Sequence, residues 1–244
     1  EVDMVAAGRA FFADPSWVDK AYHGHEDEIV PCLRCGTCVP CAYGPAHYTP
    51  FHAHIRKCAV NPVLGREWQV NIMPPGPRKK VLVIGGGPGG MQAALTAAQR
   101  GHQVTLVEKA NELGGNFRIA AYPTGKGQLT EAIRSMIVKC QQAGVDLRCG
   151  VEAEEMLLRS LAPDAIILAT GSTPLILPIP GLSDCGYVTA QDMLDGKAQM
   201  GKNVLVVGGG MVGCEAAEYL AERGHQVAVI EMKDVIAADV TPEN

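Results

Sequence analysis

Val81-Leu-Val-Ile-Gly-Gly-Gly-Pro-Gly-Gly90 decides the fold, because Val204-Leu-Val-Val-Gly-Gly-Gly-Met-Val-Gly213 repeats it 123 positions later. The same offset carries Arg100-Gly-His-Gln-Val104 onto Arg223-Gly-His-Gln-Val227, and Glu108 onto Glu231. A constant offset across an apolar run, a glycine turn, a helix-length segment and a second apolar run means two copies of one unit. Each copy reads strand, Gly-x-Gly-x-x-Gly, helix, strand, acidic residue. In the first, Gly85, Gly87 and Gly90 bracket Pro88 and Gly89. A helix over Met91–Gln99 and a strand over Gln103–Val107 then lead to Glu108. In the second, Gly208, Gly210 and Gly213 bracket Met211 and Val212, and the acidic residue is Glu231.

The residue types fit one chemistry. The first glycine makes a tight turn, the second lets the backbone approach a diphosphate, and the third lets the helix pack close to the strand. Amides at the helix N-terminus and the helix dipole attract the phosphates. The acidic residue accepts a hydrogen bond from a ribose hydroxyl. Two dinucleotide sites are therefore expected. Glu231 would repel a 2′-phosphate, so the second site favours NADH over NADPH.

Working outward, Gln128–Ala143 has helical spacing, with Leu129, Ile133, Met136, Ile137 and Cys140 on one face. Cys140 reads as a packing residue. A strand near Val145–Cys149 and a buried strand over Asp164–Ala169 follow, the latter closing in Ala169-Thr170-Gly171. Val204–Val207 likewise reads as a buried parallel strand. Upstream, a short apolar strand is expected at Val2–Ala6, then a helix with Asp14 as N-cap and Pro15 at its first position. The segmentation is thus residues 1–30, a cysteine segment and linker over 31–78, a first α/β segment over 79–178, and a second over 179–244.

Composition agrees. With 47% apolar residues and 28 glycines but only 5% aromatics, the 244-residue chain suits an α/β nucleotide-binding protein. A net charge of −5 without a basic run speaks against nucleic-acid binding. No apolar run is long enough to cross a bilayer, and no secretory signal is visible. The nine cysteines, five of them between Cys32 and Cys58, suit a reducing, cytoplasmic compartment and a metal site better than a disulfide framework.

Cys32, Cys35 and Cys38 follow Cys-x-x-Cys-x-x-Cys, and Cys58 stands 20 positions further on. Short spacings let thiolates converge, and a distant fourth closes the cage. Such ligands suit an iron–sulfur cluster or zinc, and His47, His52 and His54 keep a zinc site open. Cys41 lies two residues past the motif with Ala42 after it, unlike the bacterial ferredoxin run. The preferred ligands are Cys32, Cys35, Cys38 and Cys58, with Cys41 in place of Cys38 or Cys58 as the competing assignment.

Two resemblances join these pieces. The order of the nucleotide units resembles the two-dinucleotide-domain flavoproteins, in which one unit binds FAD and an inserted second unit binds NAD(P)H. The resemblance implies that Thr170 and Gly171 close the first FAD portion. It also implies that Leu113-Gly114-Gly115-Asn116 crosses beside the FAD pyrophosphate, which puts Gly115 and Asn116 at the flavin. Pro180-Gly181, Val188-Thr189-Ala190 and Asp192-Met193-Leu194 would lead into the second domain.

Gly8-Arg9-Ala10-Phe-Phe-Ala-Asp-Pro15, the cysteine spacing and Cys58-Ala-Val-Asn-Pro62 together resemble the old-yellow-enzyme-like iron–sulfur flavoproteins. That family includes 2,4-dienoyl-CoA reductase, bacterial enoate reductases and trimethylamine dehydrogenase. It implies that residues 1–30 are the end of an FMN-binding TIM barrel, whose last strand ends in a Gly8-Arg9 that grips the FMN phosphate. The expected fold is α/β: the end of a TIM barrel and an iron–sulfur segment, then two Rossmann-like βαβ units. By this likeness nearly all of the barrel is missing, with its substrate pocket and proton donor, and the chain stops at Asn244 before the second unit is complete. An insertion is expected around Tyr43–His54.

The resemblance implies a reductase. Electrons would run from NADH to FAD, to a 4Fe-4S cluster, and to FMN in the barrel, for reduction of an activated C=C bond in a small-molecule substrate. No catalytic residue for that substrate lies in this chain. An amine dehydrogenase is the alternative, with electrons passing from FMN through the cluster to an external electron-transfer protein and ADP in place of FAD at the first site. A non-catalytic, zinc-stabilised nucleotide-binding module is the third reading. A homo-oligomer is compatible with each.

Overall fold

The computed structural model describes residues 3–38, 57–70 and 76–238, and the chain divides into two units. Unit 1 comprises residues 1–118 and 128–171; unit 2 comprises 119–127 and 172–244.

Unit 1 is organised by β1 (Lys80–Ile84). Its Val81, Leu82 and Val83 are all buried, as a continuous apolar run covered on both faces requires. The chain continues through α3 (Pro88–Gln99) into β2 (Gln103–Glu108), which lies parallel to β1 with Val83 opposite Leu106. α5 (Gln128–Gln142) leads into β3 (Asp146–Cys149), and α6 (Glu155–Leu161) into β4 (Ala165–Leu168). All pairings are parallel, in the order β3-β2-β1-β4. Met91 and Ala94 of α3 pack with Val83, Leu106, Ile133 and Cys140 in one core. Cys140 is fully buried and its thiol donates to the Met91 carbonyl at 3.4 Å, so it packs as expected. Burial pushes that thiol up to about 11.

Ahead of the sheet lie α1 (Arg9–Ala13), α2 (Trp17–Tyr22) and a 3₁₀ turn, Glu26–Glu28. Two expectations fail here. Residues 3–7 form no strand, and no described strand lies beside them to supply ladder hydrogen bonds. Asp14 is not the N-cap of the next helix, which begins three residues later, at Trp17, behind Ser16. Its carboxylate instead ties the segment together, accepting from the Ser16 amide at 3.1 Å, the Val30 amide at 2.9 Å and the Lys20 ammonium at 2.5 Å.

Unit 2 holds the parallel pair β5 (Asn203–Val207) and β6 (Gln226–Ile230), joined by α9 (Met211–Glu222). Ahead of them come a short helical turn, α7 (Leu182–Cys185), and α8 (Ala190–Leu194), whose first turn is capped by Thr189. Met193 of α8 packs with Ala216 and Leu220 of α9. The remaining short helix, α4 (Gly115–Ile119), spans residues at which the two units divide.

Complete burial was expected of the runs containing β4 and β5. Both form parallel strands, yet alternate residues are exposed, among them Leu168 at 74% and Leu205 at 59%. β4 is an edge strand with only β1 beside it, and the described core of unit 2 covers one face of β5. Among the described residues no helix is long and apolar enough to cross a membrane.

Candidate cofactor-binding sites

The first glycine turn is shaped by close backbone approach. Gly85 has φ of +111°, and a Cβ there would lie 2.2 Å from the Ala169 carbonyl oxygen at the end of β4. A Cβ at Gly90 would lie 1.9 Å from the Gly85 carbonyl oxygen. These two glycines are demanded by the protein itself. Gly87 and Gly89 are different, since a Cβ on either meets nothing within 4 Å. Gly87 is also in an extended conformation open to any residue, with φ of −72° and ψ of 176°. It is the N-cap of α3, with no side-chain cap and Pro88 at the start of the helix. First-turn amides without a side-chain acceptor form a ready anion site.

Leu113-Gly114-Gly115-Asn116 lies against this turn. The Gly114 amide donates to the Gly86 carbonyl at 2.9 Å, and a Cβ on Gly115 would sit 3.4 Å from Gly87 Cα. Gly115 and Asn116 begin α4. Thr170 follows Ala169, its amide within 3.1 Å of a Cβ on Gly85, and Gly171 turns away with φ of +76°. Glu108 points back into the turn and accepts from the Gly86 amide at 2.6 Å and the Ala110 amide at 2.8 Å. A carboxylate offers about four lone-pair positions, so capacity remains for a ribose hydroxyl. The carboxylate is thus aimed by its own loop.

The second turn repeats much of the first, except that a Cβ on Gly208 meets nothing within 4 Å where one on Gly85 meets Ala169. A Cβ at Gly213 would lie 1.8 Å from the Gly208 carbonyl oxygen. Gly210 caps α9, again without a side-chain cap, and Met211 and Val212 form its exposed first turn. Glu231 accepts from the Gly209 amide at 2.7 Å and the Lys233 amide at 2.9 Å. The Lys233 and Gly209 amides hold its carboxyl below the usual glutamate range. The repeat reaches beyond what residue identity reveals. Ile236-Ala237 occupies the place of Leu113-Gly114: the Ala237 amide donates to the Gly209 carbonyl at 2.6 Å, and Ile236 crowds Gly209 as Leu113 crowds Gly86. Only the 123-residue offset, applied without asking for identity, could have found that pair.

The cysteine segment belongs to unit 1. Cys32, Cys35, Cys38 and Cys58 line one cavity together with Arg9, Phe12 and the backbone from Leu33 to Thr37. No disulfide joins them. Asn61 holds the Cys58 segment in place: its side-chain amide donates to the Phe12 carbonyl at 2.9 Å, and its oxygen accepts from the Val63 amide at 3.2 Å. Burial, then the neighbouring Cys32 and Cys58, push the Cys38 thiol up, while Arg9 acts in the opposite sense. Mutual repulsion of thiolates in one cavity is what a bound cationic core would relieve. Four cysteines lining one cavity fit the donor set of a cluster, although among the described residues no such group forms a ready site for one metal ion. Gly8 caps α1, and Arg9 opens that helix at the cavity rather than ending a strand. Cys41, His47, His52, His54 and the proline linker at 74–75 lie outside the described residues.

Comparison with known proteins agrees with this geometry. Residues 79–244 match the family model "Pyridine nucleotide-disulphide oxidoreductase". The chain is 43% identical to an NADH oxidase of Thermoanaerobacter brockii, over 98% of this chain and 37% of that protein. It superposes on a 2-naphthoyl-CoA reductase in complex with 2-naphthoyl-CoA at a TM-score of 0.86, with 34% identity over 97% of this chain and 35% of that one. For a 6-hydroxypseudooxynicotine amine oxidase from Pseudomonas geniculata N1 the TM-score is 0.78, with 25% identity over 97% and 37%. The chain thus spans a little over a third of the length of each of these three proteins. With the tandem glycine turns and the four-cysteine cavity in one chain, the sequence belongs to the pyridine nucleotide-disulphide oxidoreductase family, among the old-yellow-enzyme-like iron–sulfur flavoprotein reductases.

Proposed function

We propose that this chain is the nucleotide- and cluster-bearing part of an NADH-dependent flavin and iron–sulfur oxidoreductase. Its small-molecule substrate, held by an FMN-binding barrel, would carry an activated C=C bond of the enoate or dienoyl-CoA type. The observation that carries the reading is the presence, in unit 1, of both an uncapped glycine turn and a cavity faced by four cysteines. When bound, FAD would take hydride from NADH at the second turn, and a 4Fe-4S cluster would hand single electrons to FMN.

The chain's own residues do positional work. Gly87, Pro88 and the first-turn amides of α3 would hold the FAD diphosphate, with Gly115 and Asn116 beside it. Glu108 is oriented by the Gly86 and Ala110 amides to receive a ribose hydroxyl. Gly208, Gly210, Met211, Val212 and Gly213 would do the same for NADH. Glu231, held ionised by backbone amides, would disfavour NADPH. Cys32, Cys35, Cys38 and Cys58 would supply the cluster's four thiolates, and Gly8 and Arg9 would meet the FMN phosphate.

The likeness to an amine oxidase favours one second reading: electrons leave FMN through the cluster for an external carrier protein, and the second turn is idle. The intact second turn, with its aimed carboxylate, supports the reductase instead. Coupled assay of the purified holoprotein separates them. Stoichiometric NADH oxidation with an enoate or enoyl-CoA acceptor is expected. Inertness toward NADH, with flavin reduction by an amine, would overturn the reductase reading. Zinc without iron would overturn both in favour of a nucleotide-binding module.

A further inference from the structure

Gln128, the first residue of α5, uses both ends of its side-chain amide on the cysteine loop. Its Nε2 donates to the Leu33 carbonyl oxygen at 3.2 Å, and its Oε1 accepts from an Nη of Arg34 at 3.0 Å. Guanidinium only donates and a carbonyl oxygen only accepts, so the amide has one orientation that satisfies both. Leu33 and Arg34 are the two residues between Cys32 and Cys35. Arg34 has φ of +56°, a left-handed conformation that a non-glycine residue keeps only where its surroundings hold it.

The helix behind this clamp is tied to the flavin side of unit 1. Ile133, one and a half turns along α5, crowds Gly114, where a Cβ would lie 2.9 Å from Ile133 Cδ1. Cys140 bonds the Met91 carbonyl of α3, the helix that the glycine turn caps. At its far end Gln142 donates to Glu28 at 2.7 Å. α5 is therefore a rigid spacer, with the cysteine loop at its first residue and the glycine turn's supports along its length.

We propose that Gln128 is a positioning residue that fixes the cysteine loop relative to the flavin cradle and so sets the rate of electron passage between them. The proposal rests on the reading of the four cysteines as cluster ligands. Electron transfer falls steeply with distance, so a loop released at Leu33 and Arg34 loses coupling before it loses the cluster.

The test uses the holoprotein with two variants. Gln128→Leu removes both hydrogen bonds, and Gln128→Glu keeps the acceptor toward Arg34 but loses the donor toward Leu33. Iron and sulfide content, stopped-flow traces of flavin bleaching and then cluster reduction by NADH, and hydrogen exchange over residues 32–38 are recorded. In Gln128→Leu, iron content and flavin bleaching should match wild type. Cluster reduction should slow relative to flavin bleaching, whose rate is unchanged. Exchange over 32–38 should quicken, and Gln128→Glu should fall between. Should Gln128→Leu lose iron, Gln128→Glu carries the rate measurement. Wild-type cluster reduction or unchanged exchange in an iron-replete variant overturns the clamp alone. Iron-free wild-type protein overturns the ligand reading, and the proposal with it.

Discussion

Gly87 and Gly90 sit three residues apart in one motif, yet the structure gives opposite reasons for them. A Cβ on Gly90 would stand 1.9 Å from the Gly85 carbonyl oxygen and 3.3 Å from Ala169 Cβ. To reach a tolerable separation, α3 must retreat from the turn by about 1 Å, which opens the core around fully buried Met91 and Ala94. Overpacking of this kind costs about 2–3 kcal/mol, or roughly 5–10 °C of melting temperature for a chain of this size. A Cβ on Gly87 meets nothing within 4 Å, and the residue's extended backbone suits valine. Gly87→Val should therefore destabilise the ligand-free protein far less than Gly90→Ala does, by no more than valine's weaker N-cap preference. In the loaded protein its methyls would lie where the diphosphate is expected and weaken FAD binding by roughly ten- to a hundredfold. Thermal melts of the flavin-stripped proteins, with FAD titrations of each, make the comparison. A Gly87→Val protein with wild-type FAD affinity refutes the placement of the diphosphate. A Gly90→Ala protein that melts with wild type refutes the packing argument.

Three further outcomes follow from the same geometry. Glu231→Ala should narrow the preference for NADH over NADPH in steady-state kinetics. In the wild type that preference should be flat through neutral pH, because the Lys233 and Gly209 amides keep the carboxylate charged below the usual value of 4.5. Cys140 should resist alkylation at pH 8 in the folded protein, since a thiol at about 11 is roughly one part in a thousand thiolate there. Exposed Cys185 should be modified well before it, as peptide mapping will read. Asp14→Asn should lower the melting temperature by breaking the Lys20 pair and weakening the tie to Val30, at a cost of about 3 kcal/mol. Burial raises the Asp14 carboxyl, but Lys20, Val30 and Ser16 together bring it below its ordinary 3.8. A depressed value stabilises above the ordinary pKa and is lost as pH falls through the depressed one. The gap between the variants should thus be constant from pH 8 to 5 and shrink below about pH 4.

Much of the fold could be read because the repeat carries its own control. An offset of 123 held across Gly85, Gly90, His102 and Glu108 and their partners leaves little freedom in where strands and helices fall. α3 and β2 accordingly begin and end within a few residues of expectation, and α5 does so on its own helical spacing. What could not be read depends on atoms brought together from far along the chain. Nothing local in Asp14 distinguishes a helix cap from a carboxylate that reaches Val30, 16 residues away. Gln128 resembles any polar residue at a helix start until Leu33 and Arg34 are beside it. The exposed faces of β4 and β5 are not legible in sequence because an apolar run reports what a strand can bury and says nothing of what lies against it. That Arg9 also lines the cysteine cavity could not be read either, since it depends on the short helix that Gly8 caps.

The central claim is that two glycine turns and four cysteines of one chain serve flavin, nicotinamide nucleotide and an iron–sulfur cluster. A cofactor inventory of anaerobically purified protein tests it most directly. The account predicts one FAD with about four irons and about four acid-labile sulfides per chain, and iron lost when Cys58 is replaced by alanine. Colourless protein that holds zinc, or that takes up neither flavin nor iron on reconstitution, would contradict it.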